Sequence, residues 1–268
     1  MKKLMSLLLA LIMVIGTMTV PAFAYSDVEE GTYTSEAITI LTDLDILHGF
    51  VDGSFKPDDT ITRAQMATVI CNALGYGEIG QTTTVFKDVP KEHWASGYIG
   101  MINGLGIVAG YGEGYYGPED PVTYEQVAKI IVATLGYTPM ANEQGGWYQG
   151  YLSVAAQLDI TDNVPMMIGK PAPRGAVAAM VYNALDVDMM EQVGFGNYAY
   201  YKVIEDKTLL SHNLDIAKIE GFVNNSIGTT QTVTVRIPYG NAGNEKVGKM
   251  SLIASRDNLN NISIKITN

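Results

Sequence analysis

Apolar residues along this chain recur with two different periods, which predict helices over most of its length and strands near its end. In the helical part they recur every three or four residues, the spacing of one helix face. Clear instances are Ile38, Leu41 and Leu44, and then Met66, Ile70 and Leu74. Near the end they alternate with polar residues, the period of a strand. The alternating residues are Val233, Val235 and Ile237, and then Ile262, Ile264 and Ile266.

The helical part is an internal repeat. Residues 44–76 and 102–137 share glycines, aromatic residues, a proline and a Leu-Gly-Tyr ending, all offset by 61 positions. A third, more degraded copy spans residues 147–185, where Arg174 lies 50 positions after Tyr124. Three units are therefore defined: copy one (residues 25–79), copy two (80–138) and copy three (139–187, degraded).

Each copy reads as a helix, a turn-rich loop and a second helix. Thr62 followed by Gln65, and Thr123 followed by Gln126, are capping boxes that predict where the second helix of copies one and two begins. Pro173 holds the same position in copy three and supplies only its fixed φ. One helix pair cannot bury its apolar face alone, whereas three packed together can. A mainly α fold built from three helix-loop-helix repeats is expected.

Two features of copy one could be taken for a metal site and a reactive thiol, but a structural role is favoured for both. The loop VDGSFKPDDT contains three aspartates but lacks the alternating acidic pattern of a calcium loop, so a tight turn is favoured over a metal site. Cys71, the only cysteine, falls on an apolar helix face with no basic residue near it in sequence. A buried, inert thiol is expected there. No metal, cofactor or catalytic residue is predicted.

The chain changes character after copy three. Residues 188–215 read as a connector with a short helix or strand, and residues 216–268 as a small antiparallel β-rich segment. Besides the two alternating runs, IAKIEGFV and KMSLIAS are strand candidates, separated by turns rich in Asn and Gly. His212 has no cysteine or acidic cluster beside it, so it is expected on the surface.

The first 24 residues have the layout of a secretory signal peptide. Two lysines precede an apolar run that ends in Ala-Phe-Ala, although an uncleaved membrane anchor is the alternative. Without this segment, fifteen Lys and Arg face 28 Asp and Glu, a net charge of −13. So acidic a surface argues against nucleic acid as a partner. The expectation is an exported protein that, once the signal is cleaved, does not engage the membrane.

Short motifs recur in order in the first two copies. Copy two contains FKDV (residues 86–89), HWA (93–95) and the loop GYGEGYYGP (110–118). Copy one contains YSDV (25–28), the loop DGSFKP (52–57) and TRAQ (62–65). These motifs resemble the S-layer homology family, whose units begin F-x-D-V and H-W-A, continue with a Gly-rich loop and enter a helix at T-R-A-E/Q. The resemblance covers about residues 25–187. It implies a pseudo-threefold bundle with grooves between neighbouring copies.

In that family the grooves bind secondary cell-wall polymers, often through a pyruvylated amino sugar. The resemblance implies that Arg63 and Arg174 grip the acidic group, that Tyr124 replaces this arginine in copy two, and that further polymer contacts lie nearby. Those further candidates are Asp27, Asp88, Trp94 and Trp147. A guanidinium suits a carboxylate, and free N–H groups in the first helix turn would favour the same anion. For the arginines, residue type alone favours a different interpretation, in which they are solvated and pair with nearby acids. The two tryptophans are expected to pack in the core even with the resemblance, where they can also form a groove wall.

The sequence leaves three functions open. The first is non-covalent anchoring of an exported protein to the bacterial cell wall through its polysaccharide, with S-layer or other surface proteins as further partners. The second is the anchor portion of an exported carbohydrate-active enzyme, although no paired-carboxylate constellation lies outside the repeats. The third is an assembly module that binds a protein partner and no glycan. The chain itself is not expected to be an enzyme.

Overall fold

The computed structural model describes residues 25–194, 196, 199–214, 216–222, 230–236, 251–256 and 262–267. The predicted signal peptide, residues 1–24, lies outside the described residues. Within these ranges, no helix is both long enough and apolar enough to cross a membrane.

Seven helices form the described α-helical part: a pair for each copy and one short additional helix at the start of copy three. In chain order they are α1 (Tyr33–Asp43), α2 (Arg63–Ala73), α3 (Ser96–Gly104), α4 (Tyr124–Thr134), α5 (Thr138–Glu143), α6 (Gln149–Gln157) and α7 (Arg174–Ala184). Copy one contributes the pair α1 and α2, copy two α3 and α4, and copy three α6 and α7, while the short α5 spans the boundary at residue 138 and lies mostly in copy three. The predicted helix-loop-helix organisation is confirmed.

The second helix of each copy begins where the caps predict. At Thr62, Oγ1 accepts the Gln65 N–H at 3.2 Å while Gln65 Oε1 accepts the Thr62 N–H at 2.9 Å, a complete capping box. The box at Thr123 is looser, because Gln126 Oε1 accepts the Thr123 N–H at 3.1 Å but the buried Thr123 Oγ1 makes no hydrogen bond of standard geometry within the described residues. Pro173 is the N-cap of α7 without a side-chain bond.

The three copies close into a ring. Helix α2 packs on α3, α4 packs on α6, and α7 packs back on α1. At each contact, the start of a second helix meets the loop of another copy: α2 meets the loop of copy two (first junction), α4 that of copy three (second junction) and α7 that of copy one (third junction). This arrangement is consistent with the bundle around a common axis that the resemblance implies.

A single apolar cluster fills the interior and draws on all three copies. Its largest side chains include Phe55 from copy one and Tyr116 and Tyr124 from copy two, while copy three adds a set of small apolar residues on α7. Cys71 is fully buried, and burial raises the pKa of its thiol to about 12. Because the thiolate is the reactive form, the prediction of an inert thiol is confirmed.

The segment after copy three docks on the bundle instead of merely linking it to the end of the chain. Strands β1 (Met189–Val193) and β2 (Tyr200–Ile204) pair antiparallel, and the Met190 N–H donates to Leu135 O at 2.8 Å. At Gly136, φ is +86° and an added Cβ would lie 1.9 Å from Met190 O, so only glycine fits this contact. A π-helical turn, Leu209–Asn213, follows and leaves His212 exposed, as expected.

The last four strands pair as two further antiparallel hairpins. Strand β3 (Ile216–Phe222) pairs with β4 (Thr230–Arg236), and β5 (Ser251–Arg256) pairs with β6 (Ile262–Thr267). All four coincide with the strand candidates of the sequence, so the antiparallel β-rich end is confirmed. Within the described strands the hairpins are three separate two-stranded sheets and do not join into one.

Candidate functional site

Arg63 fills the first junction. Its Nε donates to Tyr116 O at 2.8 Å and its Nη2 donates to Ala109 O at 3.2 Å, both in the loop of copy two. The guanidinium carbon lies 4.6 Å from the ring centroid of Tyr111 and 4.4 Å from that of Tyr116. Only 6% of the residue is exposed. The side chain is thus held between two aromatic rings and fixes the loop of the neighbouring copy.

Arg174 repeats this arrangement at the third junction. Its Nε donates to Phe55 O at 2.9 Å, its Nη2 donates to His48 O at 2.8 Å, and its guanidinium carbon lies 4.9 Å and 4.7 Å from the rings of Phe50 and Phe55. Burial lowers the pKa of Arg174, although nearby anionic groups such as Asp59 partly oppose this shift. The two junctions match residue by residue, because each loop residue lies 61 positions before its counterpart in copy two.

Two expectations about these arginines are corrected. The interpretation from residue type, solvated arginines paired with acids, is wrong, because both side chains are buried and bind backbone carbonyls. The expectation of free N–H groups beside them is also wrong. The Arg63 N–H donates to Asp120 O at 2.9 Å, and the Arg174 N–H donates to Asp59 O at 2.8 Å. The neighbouring copy already occupies these helix starts.

Asp27 and Asp88 fix the loops that receive the arginines. Asp27 accepts the N–H groups of Phe55 and Lys56, at 2.8 and 2.7 Å. Asp88 does the same for Tyr116 and Gly117, with shortest distances of 2.9 and 2.7 Å. Burial acts to raise the pKa of each carboxyl, but these N–H bonds outweigh it and hold both pKa values below the usual range. The two candidates therefore position the loops.

Trp94 and Trp147 lie at the surface, so the interpretation of core packing is wrong. Trp94 is 50% exposed and Trp147 is 55% exposed, and both come just before the first helix of a copy. The ring of His93 stacks on Trp94 with a centroid distance of 5.9 Å. His93 is itself oriented, because its Nδ1 accepts the Ala95 N–H at 3.1 Å. Each tryptophan is thus about half exposed, with one cationic or imidazole side chain against its ring: His93 on Trp94 and Lys129 over Trp147.

The second junction, where Tyr124 replaces the arginine, uses different chemistry. Tyr124 is only 1% exposed, and its backbone N–H donates to Lys170 O at 3.2 Å. The next residue, Glu125, is buried, and its Oε2 accepts the Gly169 N–H at 3.0 Å. Here a carboxylate on the helix accepts a hydrogen bond from a loop N–H, whereas at the other two junctions a guanidinium donates hydrogen bonds to loop carbonyls.

The position that corresponds to the tryptophans in copy one is Tyr33, and its surroundings are acidic. It lines two adjoining cavities of about 530 and 340 Å³, each of which also includes Glu36. The larger adds Glu30, and the smaller adds Asp159 and Asp162. The Tyr33 hydroxyl donates to Asn183 Oδ1, so this ring is tied to α7.

Four residues near these positions were not among the sequence candidates: Phe50, Tyr111, Glu125 and Lys129. The constant offset of 61 already pairs Phe50 with Tyr111, and this repeated aromatic was the available signal. Glu125 and Lys129 have no counterpart of the same type in the other copies, so the repeat could not reveal them. The structure brings Lys129 within 5.7 Å of the Trp147 ring centroid.

Comparison with known proteins places these features in a family context. A sequence model described as the S-layer homology domain matches residues 24–67 and 85–128. Copy three lies outside both matched segments, although the structure gives it the same helix pair and the same place in the ring.

Curated relatives match between 44% and 81% of the chain. The middle cell wall protein of Brevibacillus brevis is 30% identical over 227 residues, which cover 81% of this chain and 21% of the relative. The surface layer protein of Brevibacillus choshinensis is 32% identical over 225 residues, or 81% and 20% of the two proteins. A cellulosome-anchoring protein of Acetivibrio thermocellus is 30% identical over 123 residues, or 44% and 27%. The chain thus spans about a fifth to a quarter of the length of these relatives.

Proposed function

Because the chain carries S-layer homology domains, we propose that it anchors an exported protein non-covalently to the bacterial cell wall. The ligand is an acidic, pyruvylated secondary cell-wall polymer, and the site is the set of grooves between copies. The names of the relatives, which include surface-layer, cell-wall and cellulosome-anchoring proteins, support a location at the cell surface. Other surface or S-layer proteins are further partners. The role is anchoring, with no catalytic step.

One observation carries the proposal: cations and partly exposed aromatic rings coincide at the places where copies meet. The outer ring over each buried guanidinium is exposed, 56% for Tyr111 and 39% for Phe50, and Trp94 and Trp147 are about half exposed. Aromatic faces suit the apolar faces of sugar rings, while cations suit an acid substituent. On a chain with a net charge of −11, such sites are the places where an anionic polymer can be held.

Arg63 and Arg174 have a double role in this proposal. Each uses Nε and one Nη to hold a loop, and its guanidinium carbon lies 4.6 Å (Arg63 to Tyr111) or 4.9 Å (Arg174 to Phe50) from the centroid of a partly exposed ring. Its remaining guanidinium N–H groups bind the acid in this proposal. Asp27 and Asp88 act by shaping those loops. Tyr124 has no guanidinium and its ring is buried, so the second junction offers a ligand neither a cation nor an exposed ring at this position.

The test is co-sedimentation of the chain with cell-wall preparations that retain their secondary polymer or have been stripped of it. Binding is expected only to the first. Because both tryptophans are surface residues, Trp94→Ala combined with Trp147→Ala should fold normally and bind at least about tenfold more weakly. The matched control is Tyr200→Ala combined with Tyr201→Ala, which removes exposed aromatics from β2, away from the junctions.

Equal sedimentation with stripped walls would contradict glycan binding and favour the module that binds only a protein partner. Equal loss in the β2 control would show that exposed aromatic area, and not its place at the junctions, governs binding. The anchor of a carbohydrate-active enzyme would bind the polymer in the same way, so that alternative concerns what the chain carries and not how it attaches.

A further inference from the structure

Lys129 is a cation without an acidic partner in the described part of the chain. It lies on α4, is partly buried, and none of the ion pairs among the described residues includes it. Glu125, one helical turn earlier, is the obvious partner, yet its Oε2 accepts the Gly169 N–H. The Lys129 ammonium instead lies over the Trp147 ring, 5.7 Å from its centroid, and 55% of that tryptophan is exposed.

In the isolated protein the Trp147 ring is the contact that favours the Lys129 ammonium, and it compensates the charge only in part. Burial lowers the pKa of Lys129, and the positive charge of Arg63 lowers it further, so both the surroundings and a like charge disfavour the ammonium form. Removing an ammonium from water without pairing it costs free energy, which an incoming anion would return. The geometry and the charge both point to an anionic group as the missing partner.

A lysine beside an exposed tryptophan, as in Lys129 and Trp147, occurs in only one of the three grooves between copies in the described part of the chain. In the other copies the residues at the position of Lys129 are Thr68 and Ala179, neither of which carries charge. The position of Trp147 is occupied by Trp94 in copy two and by Tyr33 in copy one, where Glu30, Glu36 and Asp162 surround the cavities and would repel an anion. The groove between copies two and three is therefore distinct in chemistry from the one at Tyr33.

We propose that Lys129 and Trp147 form a binding site for one carboxylate-bearing sugar, with the ring on the indole face and the carboxylate on the lysine ammonium. This inference rests on the proposed function and names the groove and the residues that recognise the acid. It also explains how the second junction can take part in binding without an arginine at Tyr124. A lysine farther along the same helix recognises the acid instead.

The experiment uses the small number of tryptophans. The chain has two, so Trp94→Phe leaves Trp147 as the sole indole fluorophore in a full-length reference protein. This protein is titrated with a methyl glycoside of a pyruvylated N-acetylhexosamine and, separately, with the carboxyl methyl ester of the same sugar. Trp147 fluorescence is expected to respond to both, with the acid bound about tenfold more tightly because the ester has no charge.

Lys129→Met in the same background should lower affinity for the acid about tenfold, to that of the ester, and leave ester binding unchanged. Lys129→Arg should keep the preference for the acid. The matched control is Lys87→Met, which removes another lysine that lies over an aromatic ring, 5.3 Å from the Tyr115 centroid, outside this groove. It should bind both sugars as the reference does.

A Lys129→Met protein that still prefers the acid, or a reference protein whose Trp147 responds to neither sugar, overturns this inference. In either case co-sedimentation with polymer-bearing walls decides the proposed function separately. Retained sedimentation leaves anchoring in place through other grooves, whereas its absence removes both conclusions.

Discussion

At the first junction the Arg63 guanidinium donates to two carbonyl oxygens in the loop of copy two, whereas at the second junction the Glu125 carboxylate accepts an N–H from the loop of copy three. The helix-start backbone is satisfied in both, through Arg63 N to Asp120 O and Tyr124 N to Lys170 O. The backbone hydrogen bond is thus kept although the charge of the side chain is reversed. What changes is that the helix side chain donates to the loop at the first junction and accepts from it at the second.

The loops explain why the reversal is possible. A residue with positive φ follows the first helix of each copy, and the loop can be measured from it to the first residue of the second helix. This distance is eighteen positions in copy one, from Asp45 to Arg63, and eighteen in copy two, from Gly106 to Tyr124. In copy three, Asp159 to Arg174 spans fifteen. The shorter loop has no aspartate from an F-x-D-V segment to shape it, so Glu125 from the neighbouring copy takes over part of that role. Motif residues at equivalent positions therefore do not have equivalent roles.

The largest expected effect comes from removing the guanidinium tie. Arg63→Met keeps apolar bulk but leaves the Tyr116 and Ala109 carbonyls without these donors, and should lower the free energy of unfolding by about 2–4 kcal/mol in urea titrations. Arg174→Met should behave alike. Tyr124→Phe is the control at the same position of the second junction and should change stability by less than about 1 kcal/mol. Similar losses at all three positions would abolish the distinction between the junctions.

A smaller effect is expected at the carboxylate tie. Glu125→Ala removes one charge-assisted hydrogen bond to Gly169 and should lower the free energy of unfolding by about 1–2 kcal/mol. Glu125→Gln keeps an acceptor oxygen and should lose less. The double variant Arg63→Met with Glu125→Ala measures coupling between junctions around the ring. A Glu125→Ala protein as stable as the parent would show that the backbone bond at Lys170 suffices.

The smallest and most gradual effect is acid sensitivity confined to the arginine junctions. The folded-state pKa values of Asp27 and Asp88 lie below the ordinary value of 3.8, so their stabilisation is present above that pH and is lost as pH falls through the lower folded-state values. The urea concentration at the midpoint of unfolding should therefore decrease once the pH is lowered below about 4. Asp88→Asn should reduce this pH dependence, and an unchanged acid profile in that variant would contradict the assignment.

The sequence by itself determined the repeat, the positions of the helix pair in each copy, and the four strands β3 to β6 with their antiparallel character, but not α5 or the β1–β2 hairpin. These follow from local patterns: apolar period, caps such as Thr62 with Gln65, and turns rich in Gly and Asn. It also indicated which residues, Arg63, Arg174, Trp94 and Trp147 among them, carry unusual chemistry. Such signals are local or repeat at a fixed offset, so they can be read without coordinates.

Only the tertiary structure decided what those residues do. Whether Arg63 faces water or the carbonyl of a residue 53 positions away depends on how the three copies pack into a ring, which no local pattern encodes. The exposure of Trp147, the reversed tie at Glu125 and the position of Lys129 against that indole ring likewise arise where copies meet. Burial and charge pairing are properties of the assembled bundle, because they depend on which distant groups exclude water from a side chain.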